Sequence, residues 1–417
     1  MHEHLACSVD AIVDRLVVIR RQIHRRPELG LEEHETAALL AETLNAAGLE
    51  VQTGVGGTGV VAIVRGGKRG KCLGLRADMD ALPIQEATGL EFASERPGVM
   101  HACGHDMNVT MVLGAALALQ QHRAKLRGKV KVILQPAEET IGGALRMIAD
   151  GVLERPRMDA IVAVHAWTDP VGHVTLRFGE NLAAADTVKI VVRGRGAHAA
   201  MPHRASDPVV AAANVILALQ QIASRRVDPI APVVVSICRV EGGKAFNVIP
   251  EEVALLGTVR TLGGEVQDFV EGEVKRIARE AARTYGCRAR VTYVRGCPAL
   301  HHDEALTRLA EETCRELLGR EAVRLAPHPN MGAEDFAFFA QHLPATQIAV
   351  GAATPGKPEP VLHQPTFVAD EGGLAVGAKV LACVAWRYLN GRGQGTGDRN
   401  GKAGRHGGAT WQRVGTA

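Results

Sequence analysis

A thiol and an imidazole stand two residues apart in Met100-His101-Ala102-Cys103-Gly104-His105-Asp106. Thiolate sulfur and neutral imidazole nitrogen are good ligands for zinc and related transition metals. Gly104 between them lets the backbone turn so that both side chains converge. The Asp106 carboxylate beside His105 suits a partner that holds a ligating ring in one tautomer. Two ligands do not make a site, and a Cys-x-His pair also fits a small buried thiol beside a chance histidine. Any further ligands must come from elsewhere in the chain.

Gln135-Pro136-Ala137-Glu138-Glu139 offers two adjacent acids directly after an apolar stretch. Most Glu-Glu pairs are solvated loops. Here Pro136 and Gly142-Gly143 bracket the pair in a strand-to-helix turn. Neighbouring carboxylates repel and raise one pKa unless a cation lies near, so one acid can bind metal while the other moves protons. His165, before Ala166-Trp167, and His363, in Leu362-His363-Gln364-Pro365, would not be singled out alone. The same holds for His198, among the small residues of Gly196-Ala197-His198-Ala199-Ala200, for Asn247 and Arg260, and for Met331–Phe336. Gly54–Gly59 lacks the spacing and lysine of a phosphate loop.

Elements must carry these residues to one place. Apolar spacing predicts a helix over Val9–Arg26, capped by Ser8 and stopped by Pro27, and another over His34–Ala47 closed by Gly48. Short apolar runs at Val60–Val64, Cys72–Leu75, Val130–Leu134 and Ala160–Val164 read as buried strands, alternating with helices near Asn108–Gln121 and Ala144–Ala149. That alternation predicts an α/β layer with a mixed, largely parallel sheet. Such sheets bind ligands at the carboxyl ends of their strands. Arg76-Ala77-Asp78, Gln135–Glu139 and His165 each follow a predicted strand, so they can share one crevice.

The middle of the chain changes character. Strand Thr187–Val192, helix Pro208–Ala223, strands Val233–Val240 and Val253–Val259, helix Val266–Thr284 and strand Arg288–Val294 give the order β-α-β-β-α-β of a ferredoxin-like unit. The expected architecture is discontinuous. Residues 1–182 and 298–389 form a catalytic domain, 183–297 an inserted lid or dimerisation domain, and 390–417 a Gly-rich disordered tail.

At 417 residues, 46% hydrophobic and 22% charged, the chain is ordinary globular material for about two domains. A net charge of +3 without a basic stripe, and only 3% aromatics, argue against a nucleic-acid partner. The eight cysteines show no CxxC pair, so reduced thiols are expected. Met1-His2-Glu3-His4 lacks the pattern of a secretory signal, and no run of about 18 apolar residues stands out. A cytoplasmic protein with no membrane partner is expected.

Taken in order, His24–Leu29, Arg76–Pro83, His101–Asp106, Pro136–Glu139, Gly196–His203, Asn247–Pro250, Gly332–Phe336 and Leu362–Gln364 form a specific set. The chain from His24 to Leu389 resembles the amidohydrolase branch of the aminoacylase and carboxypeptidase-G-type metallopeptidases. That branch includes hippurate hydrolases, N-acyl-amino-acid amidohydrolases and plant hydrolases of auxin–amino-acid conjugates. The resemblance implies two divalent metal ions per subunit (Zn, Mn, Co or Ni), held by Cys103, His105, Glu139, His165 and His363, with Cys103 as the bridge. It implies Glu138 as general base and His198 reaching into a partner subunit's site, hence a homodimer or homotetramer. Asn247 and Arg260 are similar to substrate-contacting positions, and Asp78 and Asp106 are expected to stand behind the ligands. Many relatives outside the branch have His-x-Asp where this chain has Arg76-Ala77-Asp78. The implied substrate is a small N-acyl amino acid of the hippurate kind. Other readings are an aminoacyl-peptide or other amide hydrolase of the same family, a metal-free hydrolase with Cys103 as nucleophile, and a relative that binds without catalysis.

Overall fold

In the computed structural model the described residues are 1–391. The expectation of a disordered tail therefore falls almost wholly outside them. Asn390 itself closes the helix Gly372–Asn390.

The outer part of the chain forms an eight-stranded sheet. Its spatial order is Glu50–Val55, Gly59–Arg65, Arg127–Gln135, Lys68–Asp78, Ala160–Pro170, Ala345–Ala353, Val174–Leu176 and Val323–Leu325. Lys68–Asp78 runs parallel to both of its neighbours, and Ala160–Pro170 runs parallel to Ala345–Ala353. The edge strands Glu50–Val55 and Gly59–Arg65 are antiparallel, so the sheet is mixed but parallel at its centre. Central parallel strands are covered on both faces and read as continuous apolar runs. Val130, Val132 and Leu134 are buried on one face and Ile133 on the other.

Helix His105–Gln121 is buried from His105 through Leu119. Its Ala, Val, Leu and Met residues leave no polar face. It packs on the sheet beside helix Gly372–Asn390, which also contacts the sheet, and helix Val13–Arg25 covers it from outside. Helix Gly372–Asn390 is apolar and long enough to cross a bilayer by length and composition, which corrects the expectation that no such stretch exists. In the fold 67% of it is buried. The predicted helix Val9–Arg26 is two helices, His2–Asp10 and Val13–Arg25, broken at Ile12 with φ −117° and ψ 0°. The break allows Leu5 and Val9 on one segment and Leu16, Ile19 and Ile23 on the other to be buried together.

Residues between Ala184 and Cys297 build a separate four-stranded antiparallel sheet. Its order is Val233–Gly242, Glu252–Thr261, Ala184–Arg193 and Arg288–Cys297, with helices Pro208–Leu219 and Gly264–Arg283 packed on it. The connection order and strand order are those of the ferredoxin-like unit. Its core, centred on Val188, Ile190, Leu255 and Val274, is distinct from that of the large sheet.

Candidate metal centre and its cleft

Gly104 takes φ 80°, a left-handed turn that places His105 at the first position of its helix and Cys103 just before it. Arg127–Gln135 ends at the turn carrying Glu138 and Glu139. Strand Ala160–Pro170 continues past His165, so this histidine projects from within the strand and not from its end. His363 lies on a loop with φ 61°.

These segments converge. Cys103, His105 and His165 bring donor atoms within 4.8 Å of one another, as do Cys103, Glu139 and His363. The two triads share Cys103. Its sulfur lies 3.3 Å from His363 Nε2 and 3.6 Å from His165 Nε2. Glu139 Oε1 lies 3.3 Å from His363 Nε2 and 3.9 Å from His105 Nε2. A third group, His105, Glu138 and Glu139, places Glu138 against the cluster.

The donor set fits divalent metal. His105 Nδ1 is 2.9 Å from the Asp80 carbonyl and His165 Nδ1 is 2.6 Å from the Ala166 carbonyl. Each ring thus donates from Nδ1 to the backbone and turns Nε2 into the cluster, the arrangement that orients metal-ligating histidines. His105 Nε2 is buried and without a hydrogen-bond partner. An orphaned polar atom inside a cluster of S, N and O donors marks a place for an ion.

The charges within the cluster respond to one another. Burial opposes ionisation of Cys103, but the His105 and His165 imidazoles bring its thiol down to about 6. Burial lowers His165, and the Cys103 sulfur and Asp78 overcome this, raising it to about 9. His363 rises to about 10 through its hydrogen bonds to Cys103 and Glu139. Protons thus hold together a set of ligands that a cation would hold more directly, and metal binding would displace them. Burial, then Glu334 and Asp335, push Glu138 well above the usual carboxylate range.

Asp78 and Asp106 part company. Asp78 Oδ1 stands 3.7 Å from His105 Nε2 and accepts from Asn108 Nδ2 at 2.7 Å. Asp106 turns away from the cluster and accepts from Arg20 Nε at 2.6 Å, with His24 Nδ1 at 2.8 Å. The ring of His105 is held by Asp80, which sequence reasoning passed over within Arg76–Pro83. Arg76, in the place of the absent histidine, is fully buried. It donates to Asp78, Glu334, Asp335 and Gln135 at 2.7, 3.0, 3.0 and 2.9 Å. An arginine flanked by two strand-end acids was the one available signal for this network.

The cluster forms the floor of a cleft of about 1170 Å³ beneath the four-stranded unit. Trp167, Ile141, Leu182 and Val361 supply apolar wall, and Arg260 and Thr258 reach in from strand Glu252–Thr261. Asn247 and His198 do not line this cleft. Both are exposed, with His198 paired opposite Val248 in a two-stranded ribbon and the Asn247 carbonyl accepting from Ala199 N–H.

A parallel-centred sheet carrying a Cys/His/Glu cluster near the carboxyl ends of its central strands, with a ferredoxin-like insertion above it, defines a class of metal-dependent amide hydrolases. The chain belongs to Peptidase family M20/M25/M40, whose model matches residues 74–387. It is 37% identical over 384 residues to an N-acetyl-L-cysteine deacetylase of Bacillus subtilis, covering 92% of this chain and 90% of that protein. It is 39% identical over 383 residues to the IAA-amino acid hydrolase ILR1-like 2 of Arabidopsis thaliana, covering 91% and 86%. Among solved structures it is similar to a dinuclear metal-binding peptidase of the M20 family from Bacillus subtilis. That match has a TM-score of 0.79 and 34% identity, covering 91% of this chain and 99% of that one.

Proposed function

We propose that this protein hydrolyses the amide bond of N-acyl amino acids, with Glu138 as general base. The observation that carries the reading is the pair of donor triads sharing Cys103, with Glu138 against them. In this reading Cys103, His105, Glu139, His165 and His363 would hold two divalent ions (Zn, Mn, Co or Ni), Cys103 belonging to both donor triads. When bound, the ions supply Lewis-acid polarisation of the amide carbonyl and acidify water.

The chain's own residues do the rest. Glu138 accepts a proton from the attacking water at a carboxylate oxygen and later delivers it to the leaving nitrogen. Its raised proton affinity suits that exchange near neutrality. Arg260 offers a cation to the carboxylate of the amino-acid part. Trp167, Ile141 and Val361 offer apolar surface to the acyl part. A cleft of about 1170 Å³ leaves room for acyl groups from acetyl to aryl, so hippurate, N-acetyl-cysteine and auxin conjugates all belong in the screen.

His198 and Asn247 enter from a partner subunit. Their exposure together on one ribbon, outside the cleft of their own chain, supports this. His198 then stabilises the oxyanion, and the active form is a homodimer or homotetramer.

Enzyme depleted with chelator and reloaded with each ion is to be assayed on these substrates. Glu138→Gln should keep both ions and lose about 100- to 10,000-fold in kcat. Near-normal turnover by that variant would remove Glu138 from its role. Activity indifferent to chelator would favour Cys103 as a nucleophile instead, the 3.3 and 3.6 Å imidazole contacts of its sulfur being the observation on that side. Mixed dimers of His198→Ala and Glu138→Gln subunits should regain part of the activity. No recovery in confirmed mixed dimers counts against the shared site.

A further inference from the structure

The turn that carries Glu138 and Glu139 has an uncommon backbone. Ala137 has φ 53° and Ile141 φ 54°. Residues other than glycine take up this region where the surroundings impose it. Two of the turn's amides point inward at buried carboxylates. Ala137 N–H donates to Glu33 Oε1 at 2.8 Å, and Glu139 N–H donates to Asp80 Oδ2 at 2.9 Å.

Glu33 is fully buried and lies 104 residues from Ala137 in sequence. Its second oxygen accepts from the Thr58 hydroxyl, so the carboxylate is braced from behind. Gly30, three residues earlier, lies directly against the turn. A Cβ at that position would stand 3.0 Å from Ala137 Cα. A backbone outlier, a buried acid without a part in the chemistry, and a close approach of two loops therefore meet at one residue, Ala137.

We propose that Glu33 is a positioning residue for the proposed reaction. Its carboxylate fixes the Ala137 amide, and so the direction in which Glu138 and Glu139 project into the cleft. The inference rests on the reading of Glu138 as base. Without Glu33 the Pro136–Ala137 peptide loses the bond that fixes its N–H, and the turn is left held by the Asp80 contact to Glu139 alone among its inward-facing amides, so the acids shift. A displacement of about 1 Å at a catalytic group can cost on the order of 100-fold in rate. Arg260, Trp167 and Val361 lie outside the turn and stay where they are, so the loss falls mainly on kcat and little on KM.

Hydrogen exchange read by mass spectrometry reports on this clamp without substrate or metal. Glu33→Ala should speed exchange in the segment 137–143 by about tenfold or more and leave the four-stranded unit unchanged. On a hydrolysed substrate its kcat should fall about tenfold or more with KM within about threefold. Glu33→Gln keeps an oxygen to accept from Ala137 and should restore most of both. Unchanged exchange at 137–143 in Glu33→Ala, or a Glu33→Gln protein as impaired as Glu33→Ala, overturns the proposal. If Glu33→Ala does not fold, Thr58→Val, which removes only the brace, must raise exchange in the same segment, and unchanged exchange there overturns it too. A wild-type enzyme that hydrolyses no N-acyl amino acid would defeat the proposed function, while the exchange result would still decide on the clamp.

Discussion

Replacing Arg76 by methionine tests how the floor of the metal centre is held. The guanidinium is the cation common to Asp78, Glu334 and Asp335, and all four side chains are buried. Methionine fills similar volume but leaves three acids without that charge. Removing one partner of a buried ionic cluster costs roughly 3–5 kcal/mol, a large share of the roughly 5–15 kcal/mol that holds a domain folded. At about 2–4 °C per kcal/mol the melting temperature should fall by about 6 °C or more. The loss must also depend on pH. Burial already raises Asp335 to about 7, although Arg76 opposes it. Without Arg76 the folded chain binds protons at these carboxyls more tightly than the unfolded chain does. Stability then falls as pH rises, so the deficit should shrink between about pH 7.5 and about pH 5.5. Thermal and urea unfolding at both pH values provide the measurement. A melting temperature within about 2 °C of wild type, or an equal deficit at both pH values, would refute the reasoning.

Other consequences can be checked with simpler means. Chelation should lower both the melting temperature and activity, with recovery on adding metal; Cys103→Ala should bind fewer than two ions per chain, and full occupancy in that variant would remove the shared thiolate. Gly104→Ala forces a side chain into φ 80° and places a Cβ 3.1 Å from Ala166 Cβ; it should cost about 1–2 kcal/mol in urea unfolding, and an unchanged midpoint would count against this account of the turn. Glu273 is brought down to about 2, chiefly by its hydrogen bond to Arg276, with burial opposing and Arg226 assisting. Its folded value lies below its unfolded one, so its contribution is present above about pH 4.5 and is lost as pH falls towards 2. Glu273→Gln should remove roughly 1 kcal/mol of stability at neutral pH, the two arginines being half exposed, with the difference vanishing in acid unfolding curves near pH 2. A difference that persists there would disprove the ionic origin.

The sequence was informative where side-chain type and strand ends coincide. Cys103, His105, Glu139, His165 and His363 span 260 positions, yet they meet because strands ending near Asp78 and Gln135 and the strand carrying His165 lie side by side in the sheet. The ferredoxin-like order was readable because its strands are rich in valine and isoleucine and helix Gly264–Arg283 has a clear apolar stripe. Strand Ala345–Ala353 was not, since Ala-Thr-Gln-Ile-Ala-Val-Gly-Ala-Ala has little β-branched content and derives its conformation from pairing with Ala160–Pro170. The three-residue strands Val174–Leu176 and Val323–Leu325 are too short to show a period. The partner of His105 was misplaced on Asp106 because adjacency in sequence says nothing about direction. At the start of a helix the Asp106 side chain points toward Arg20 and His24, and a loop carbonyl from Asp80 reaches the ring instead.

Cys297 sits opposite Ala185 on neighbouring strands, so the four-stranded unit leaves and rejoins the large domain through adjacent backbone. Cross-strand partners stand about 5 Å apart. The two ends of the insertion therefore bound a gap that one or two residues could bridge. In engineering terms the unit is a cassette. It can be exchanged for another of different length, carrying a different wall for the cleft, without re-routing the chain that gathers the Cys/His/Glu cluster. The Arg260 side of the cleft and the Cys/His/Glu cluster are in this way encoded in separable stretches of the gene.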